Sequence, residues 1–292
     1  MMLSLFHELS DDLHILLLSH WLDIRSIVTL VIAVSSNTSI PYWKRLLRSL
    51  RAGAIDDVYH GASSLMWLIE RGICVSRLQM KDDAWRVPGC YLSLLQTIDL
   101  VHLGLNGCTS VTDCCICNVV ERCQGVSREH LSECDKLTDI GASALGHGCG
   151  KLQSIDLGGC RKVTDVGVSA LGHGCGQLQY IYLRGCDKVT DIGISALGAG
   201  CGQLRRIDLT HFDKVTDVGV SALGHGCGQL HYVNLESCNK VTDAGISALS
   251  LGCGQLQSIN LTCCDKVTDA GVSALESIYR RRGVSFSISR FA

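Results

Sequence analysis

A unit of 26 residues repeats without a gap through the second half of the chain, and every other reading has to fit around it. It is clearest at Cys149–Gly174, CGKLQSIDLGGCRKVTDVGVSALGHG. It returns at Cys175–Gly200, Cys201–Gly226 and Cys227–Gly252, and begins again at Cys253. Weaker copies start at Cys123 and centre on Cys108. One copy is too short to bury its own apolar residues, so copies must stack on each other as a solenoid.

Within a unit, Leu152, Ile155 and Leu157 are apolar, and the last two alternate with Ser154 and Asp156. That alternation predicts a short half-buried strand. Gly158–Lys162 reads as a turn holding Cys160. Thr164 and Asp165 supply a hydroxyl cap and a first-turn acid for a helix. Val168 and Leu171 should face inward, with Gly167 and Ala170 allowing close approach of neighbours. Gly172 and Gly174 are expected to end the helix as C-terminal glycines do.

The period also explains the cysteines. Of 18 in the chain, six open the unit (Cys123, Cys149, Cys175, Cys201, Cys227, Cys253) and six lie eleven residues further on (Cys108, Cys134, Cys160, Cys186, Cys238, Cys264). One residue type at one repeated position is a ladder of small buried thiols rather than a disulfide framework. Such thiols persist in a reducing compartment, so a cytoplasmic or nuclear location is expected. Met1–Phe6 has no basic flank of the secretory kind, and the longest apolar run, Ile27–Val34, is too short to span a bilayer.

Several motifs imitate chemistry. The string GHGCG follows a helix and opens a strand, whereas a phosphate loop follows a strand and opens a helix. The pairs His147/Cys149, His173/Cys175 and His225/Cys227 form a periodic column, broken at Ala199 and Leu251, and not four converging zinc ligands. Cys114, Cys115, Cys117 and Cys123 match no common zinc spacing. The strand-face acids Asp156 and Asp208 stand singly, two units apart. No catalytic residue, metal site or cofactor is expected, and the chain reads as not an enzyme. The net charge of −2, from 26 basic and 28 acidic residues, argues against a general nucleic-acid or anionic-membrane binder.

The unit resembles the cysteine-containing leucine-rich repeat, whose pattern C-x-x-L-x-x-L-x-L-x-x-C-x-x-h-T-D it meets almost letter for letter from about Thr97 to Glu276. The resemblance implies an α/β solenoid, its parallel strands concave and its helices convex. Upstream, Leu9–Leu22 reads as an amphipathic helix, Ile24–Val34 as a second capped by Asp23, and Tyr42–Leu50 as a third begun by Pro41. That three-helix module, residues 1–51, resembles an F-box through Leu9-Ser10-Asp11-Asp12-Leu13, the apolar positions Ile15, Leu16, Leu22, Ile24, Ile27 and Leu30, and Trp43. Ser10 departs from the family's proline, and Ser35–Ile40 lengthens the gap before the tryptophan. Residues 52–96 are a linker or a worn repeat, with Ile73–Met80 reading as a strand, and residues 97–292 hold the repeats and a C-terminal cap. In that cap Val284, Phe286 and Ile288 alternate as a final strand.

By resemblance to F-box/leucine-rich-repeat proteins, Leu9, Leu13, Leu16, Leu22 and Ile24 would bind a Skp-type adaptor of a cullin–RING ubiquitin ligase, and the arc would hold a protein substrate. The alternative is a stand-alone interaction module whose first helices cap the solenoid. A third reading is an array expanded by duplication, with no settled partner.

The informative positions are those where copies differ. Framework letters barely change, while the three outward strand positions change freely. The rows richest in Tyr and Arg are Tyr180/Tyr182/Arg184, Arg206/Asp208/Thr210 and Tyr232/Asn234/Glu236. Tyr and Arg anchor protein interfaces, so Tyr180, Tyr182, Arg184, Arg206, Asp208, Tyr232, Asn234 and Glu236 are the candidate partner-binding residues. His211-Phe212 interrupts the cysteine column, and the larger side chain is expected to bulge the turn there.

Overall fold

The computed structural model describes residues 77–79 and 100–290. The helical module expected over residues 1–51, with Leu9, Leu13, Leu16, Leu22 and Ile24, lies outside them, as does residues 52–96 except for one strand.

Among the described residues nine strands pair in parallel and in sequence order. They are β1 (Arg77–Gln79), β2 (His102–Gly104), β3 (Arg128–His130), β4 (Ser154–Asp156), β5 (Tyr180–Tyr182), β6 (Arg206–Asp208), β7 (Tyr232–Asn234), β8 (Ser258–Asn260) and β9 (Ser287–Ser289). Helices α1 (Asp113–Arg122), α2 (Asp139–Gly148), α3 (Asp165–Gly174), α4 (Asp191–Gly200), α5 (Asp217–Gly226), α6 (Asp243–Gly252) and α7 (Asp269–Arg281) alternate with them from β2 onward. Through the central strands the register advances by one whole unit, so that Tyr180 pairs with Arg206 and Arg206 with Tyr232. Equivalent residues therefore form straight columns. Strands stack at about 4.8 Å and helices are wider, so stacking bends the array with the strands on its inner side.

The period-two pattern produces the expected layering. Ile155, Ile181, Ile207, Val233 and Ile259 are buried in one core with Leu152, Leu157, Cys160, Val168, Leu171 and their equivalents. Thr164 caps α3, its hydroxyl accepting from Val166 N at 3.2 Å.

Neighbouring units are joined by their charged and smallest residues. The Asp165 carboxylate opens α3 and reaches the start of α4. Its Oδ1 accepts from Thr190 N at 2.7 Å and Gly193 N at 2.9 Å, and its Oδ2 accepts from the Thr190 hydroxyl at 2.7 Å. Asp113, Asp139 and Asp191 bond to the next unit in the same way, and Asp217 makes the two bonds to Thr242. On the strand side, Cys160 Sγ donates to Leu131 O and Cys186 Sγ to Leu157 O, both at 3.1 Å. The thiols are thus donors between units as well as packing.

The helix-end glycines have a different role from the one expected. Gly174 belongs to the helix, and the cap is Cys175 at φ −105° and ψ 59°, not a left-handed glycine. A Cβ on Gly174 would land on the carbonyl oxygen of Gly146, and one on Gly200 on that of Gly172. These glycines are there because the helices touch backbone to backbone.

Phe212 produces no bulge. It is buried, and His211 keeps the left-handed φ of 65° seen at the same position in Glu133 and Ser237, both at 60°. The turn loosens instead, and Phe212 N lacks the bond to the strand-end leucine carbonyl that Cys186 N makes to Leu183 O. Val215 N lies 3.4 Å from Phe212 O, against 3.0 Å for the matching Val189–Cys186 bond.

At the C-terminal end Tyr279 stacks on Phe286 with centroids 4.3 Å apart, and its hydroxyl donates to Cys253 O at 2.7 Å. Arg282 donates to Ser250 O at 2.7 Å. Arg290 bonds Asp269 and, at 2.8 Å, Val267 O, taking the place of a following unit. The final strand is Ser287–Ser289, and its exposed serines form the sheet edge.

One core position breaks the rule. Glu129 stands in the column of Ile155 and Ile181, fully buried, with neither carboxylate oxygen bonded. Burial pushes its carboxyl well above the usual carboxylate range, so the native chain holds this proton more tightly than the unfolded one. The associated stability is complete below the unfolded value of about 4.3 and is lost as pH rises toward the raised native value, at up to about 1.4 kcal/mol per pH unit.

Two outcomes are expected. Glu129→Ile should raise the urea midpoint at pH 7 and flatten its decline between pH 5 and pH 7, both roughly placed by the unfolded value; equal pH slopes in the two chains would contradict this. Asp165→Ala should cost about 3 kcal/mol in urea unfolding, since three donors of the next unit lose a charged acceptor, whereas Asp165→Asn, which keeps one acceptor oxygen, should cost clearly less.

Candidate functional site

Each strand contributes three residues, and the outer two turn away from the core. The unit-long register then aligns the variable residues. Tyr180, Arg206 and Tyr232 occupy one column on β5, β6 and β7, and Tyr182, Asp208 and Asn234 occupy the next.

The first column is a cation held among aromatic rings. The Arg206 guanidinium carbon lies 4.0 Å from the Tyr232 ring centroid and 5.8 Å from that of Tyr182. Arg206 is half-buried, and its Nε is buried with no acceptor. Burial raises the Tyr182 hydroxyl above its usual range, and Arg206 partly offsets this. Arg205, the residue before β6, is exposed beside the column.

The second column is tied up within itself. Asn234 Nδ2 donates to the Thr210 hydroxyl at 2.8 Å, which donates to Asp208 Oδ1 at 2.5 Å. Thr210 N also donates to Asp208 Oδ1, at 3.0 Å. Asn234 Oδ1 accepts from Glu236 N at 3.1 Å, and Glu236 Oε2 accepts from Asn260 Nδ2 at 3.1 Å. Asn234 is only 8% exposed, so it shapes the face from below. Arg184 stands exposed in the turn after β5. The structure thus brings Tyr180, Tyr182, Arg206 and Tyr232 together, makes Asp208, Asn234 and Glu236 a supporting network, and sets Arg184 at the rim. The network was not visible in single rows of sequence. Aligning the rows as columns would have shown Thr210 on the diagonal from Asn234.

Asp156, two strands from Asp208, has its carboxyl raised by burial, while the Gly158 N–H that donates to it at 2.9 Å works the other way.

The histidines of the repeated motif and Cys115 take part in bonds to the chain's own backbone. His147, His173 and His225 each donate through Nδ1 to the carbonyl four residues earlier, at 2.6, 2.6 and 2.7 Å. Cys115 Sγ accepts from Thr112 N at 3.4 Å at the start of α1, while Cys114 is exposed on the same helix. Among the described residues no group of three or more His, Cys, Asp or Glu side chains is placed to hold a metal ion. Burial pushes the ladder thiols Cys160, Cys186 and Cys227 up to about 12, which leaves almost no thiolate at neutral pH. No helix among the described residues is long and apolar enough to cross a membrane.

A family model described as Leucine Rich repeat matches residues 148–172, 230–250 and 255–275, so the chain carries leucine-rich repeats. No curated protein matches in sequence. Among solved structures, a chain of the yeast Rad7 and Elc1 complex is similar at a TM-score of 0.62 and 19% identity, over 78% of this chain and 61% of that one. The likeness is one of fold, and this chain spans about three fifths of that chain's length. A chain of the TLR13–ssRNA13 complex is more distant, with a TM-score of 0.38 and 14% identity over 74% of this chain and 26% of that one.

Thiol labelling checks the burial of the ladder. With iodoacetamide on the native protein followed by peptide mapping, Cys114 and Cys263, both exposed, should be modified first, and Cys160, Cys186 and Cys227 only in denaturant. Ladder thiols modified as fast as Cys263 would show that the units open readily.

Proposed function

We propose that the strand face of this solenoid captures a protein partner, and that the chain is the substrate-recognition subunit of a cullin–RING ubiquitin ligase. The observation that supports capture is the Tyr180–Arg206–Tyr232 column with Tyr182 beside it. Tyrosine and arginine are concentrated where the unit stops repeating, outside the repeated aspartate and cysteine bonds that join one unit to the next. A neighbour of the same fold, in the Rad7 and Elc1 complex, is itself assembled with a second protein.

The ligase assignment is finer and has a separate support. Residues 1–51 resemble an F-box, and a Skp-type adaptor would engage Leu9, Leu13, Leu16, Leu22 and Ile24. In this reading the chain does no chemistry. It holds its substrate near a ligase and so raises the local concentration of acceptor lysines. Its ladder of free thiols suits the reducing interior of a cell. Ser10, at the position of the family's proline, favours the second reading, a stand-alone scaffold that uses the same strand face without a ligase.

The two parts separate in one set of binding assays. Crosslinked partner capture should be lost in a chain carrying Tyr180→Ala, Tyr182→Ala and Arg206→Ala, with the melting temperature nearly unchanged. Purified Skp-type adaptor should bind the intact chain and not one lacking Met1–Leu50. Capture that survives the triple substitution removes the strand face as the site. An intact chain that ignores the adaptor removes the ligase and leaves the scaffold.

A further inference from the structure

The two columns of the strand face carry opposite charge. One runs Arg128, Ser154, Tyr180, Arg206, Tyr232, with Arg205 and His231 at its flank. The other runs His130, Asp156, Tyr182, Asp208, Asn234. In a closed structure the acids of the second would neutralise the bases of the first. They do not. Among the described residues the only ion pair is Arg290–Asp269 at the C-terminal cap. Asp208, the acid on the same strand as Arg206, gives its Oδ1 to Thr210 instead.

Arg206 is therefore stacked but not paired. Tyr232 lies 4.0 Å from the guanidinium carbon and Tyr182 5.8 Å, which occupies the guanidinium with rings, while Nε is out of water with no acceptor. A guanidinium stacked on rings keeps its in-plane N–H donors for another group, and that planar fork matches a carboxylate. Stacking also fixes the side chain in advance, so that little freedom is lost when an acid arrives.

We infer that the strand face recognises an acidic, extended segment of a protein partner, with one carboxylate seated on the Arg206 fork between Tyr182 and Tyr232 and further acids along the Arg128–Arg205 side. This rests on the capture reading above and adds the chemistry of what is captured. The direction of binding follows from the columns. Acids of the ligand lie over the first column, and Asp156 and Asp208 repel them from the second, so a basic or donor side chain faces those two. The rows are about 4.8 Å apart, so a segment crossing the strands meets Arg206 and Arg128, three strands apart, with residues about 14 Å apart.

Random dodecapeptides displayed on phage and panned on the intact protein test this without a known partner. Enriched peptides should be rich in Asp and Glu. A synthetic copy of the most enriched one should bind Arg206→Met at least about tenfold more weakly than the parent. Arg206→Lys, which keeps the charge but not the planar fork, should also be weaker, and binding should fall as salt rises. Melting temperatures check that the variants fold, and Arg206→Lys serves if Arg206→Met melts early. Neutral or basic peptides that depend on Tyr180 and Tyr182 would overturn the acidic preference and leave capture by this face standing. Acidic peptides that bind Arg206→Met as well as the parent would overturn the assignment to Arg206. No enrichment on the intact chain would count against both.

Discussion

Each unit is fastened to the next by one carboxylate. Asp165 sits in the first turn of its own helix, where acids are favoured, and spends its oxygens on the first turn of the following helix. A helix start leaves N–H groups without partners. Here the preceding unit supplies them, through Thr190 N and Gly193 N, and the Thr190 hydroxyl adds a third bond. Capping, normally local to one helix, becomes a bond between units. The last acid, Asp269, has no following unit, and Arg290 meets it instead.

That joint requires the helices to lie very close, and the glycines and alanines of the framework follow from it. A Cβ at Gly167 would approach the Asp139 carboxylate at 2.7 Å, and one at Gly172 the Ala196 carbonyl at 2.6 Å. The thiols finish the joint from the other side by donating to carbonyls of the preceding unit. With helix and turn residues committed to stacking, the outward strand positions are the ones free to change. This is why Tyr and Arg can gather there without cost to the solenoid.

Much of this was legible because the period makes each residue testify several times. The strand at Ile155, the cap at Thr164 and the buried Cys160 recur at fixed spacing, and the structure places them as the spacing implies. Three things were not legible, each for a physical reason. The glycines ending each helix resemble C-terminal caps in sequence, and only the contact between Gly174 and Gly146 reveals their use. Phe212 was expected to need more room than it takes, because the turn gives up one backbone bond and stretches another by a few tenths of an ångström. Glu129 sits in the least regular copy, where a polar letter passes unnoticed until the strand register puts it in a column of Ile and Leu. For the strand face, the outward positions were readable from their variation. The division into an open aromatic–cation column and a closed polar network was not, since it depends on which side chains reach one another across strands.

The register has a consequence for how such a face can change. The joints from Asp113 to Asp191 use the same three bonds, and the Asp217 joint keeps the two to Thr242. Asp139 would therefore find in Thr190 and Gly193 the same partners it has in Thr164 and Gly167. A whole unit removed or inserted leaves every seam chemically whole and shifts the face by one row. Tyr180 could lose Arg206 as its neighbour while the core remained continuous. The fold is thus tolerant of changes in length that the arrangement of its strand face is not, and the spacing between Arg206 and its flanking tyrosines is the property such an event would rewrite first.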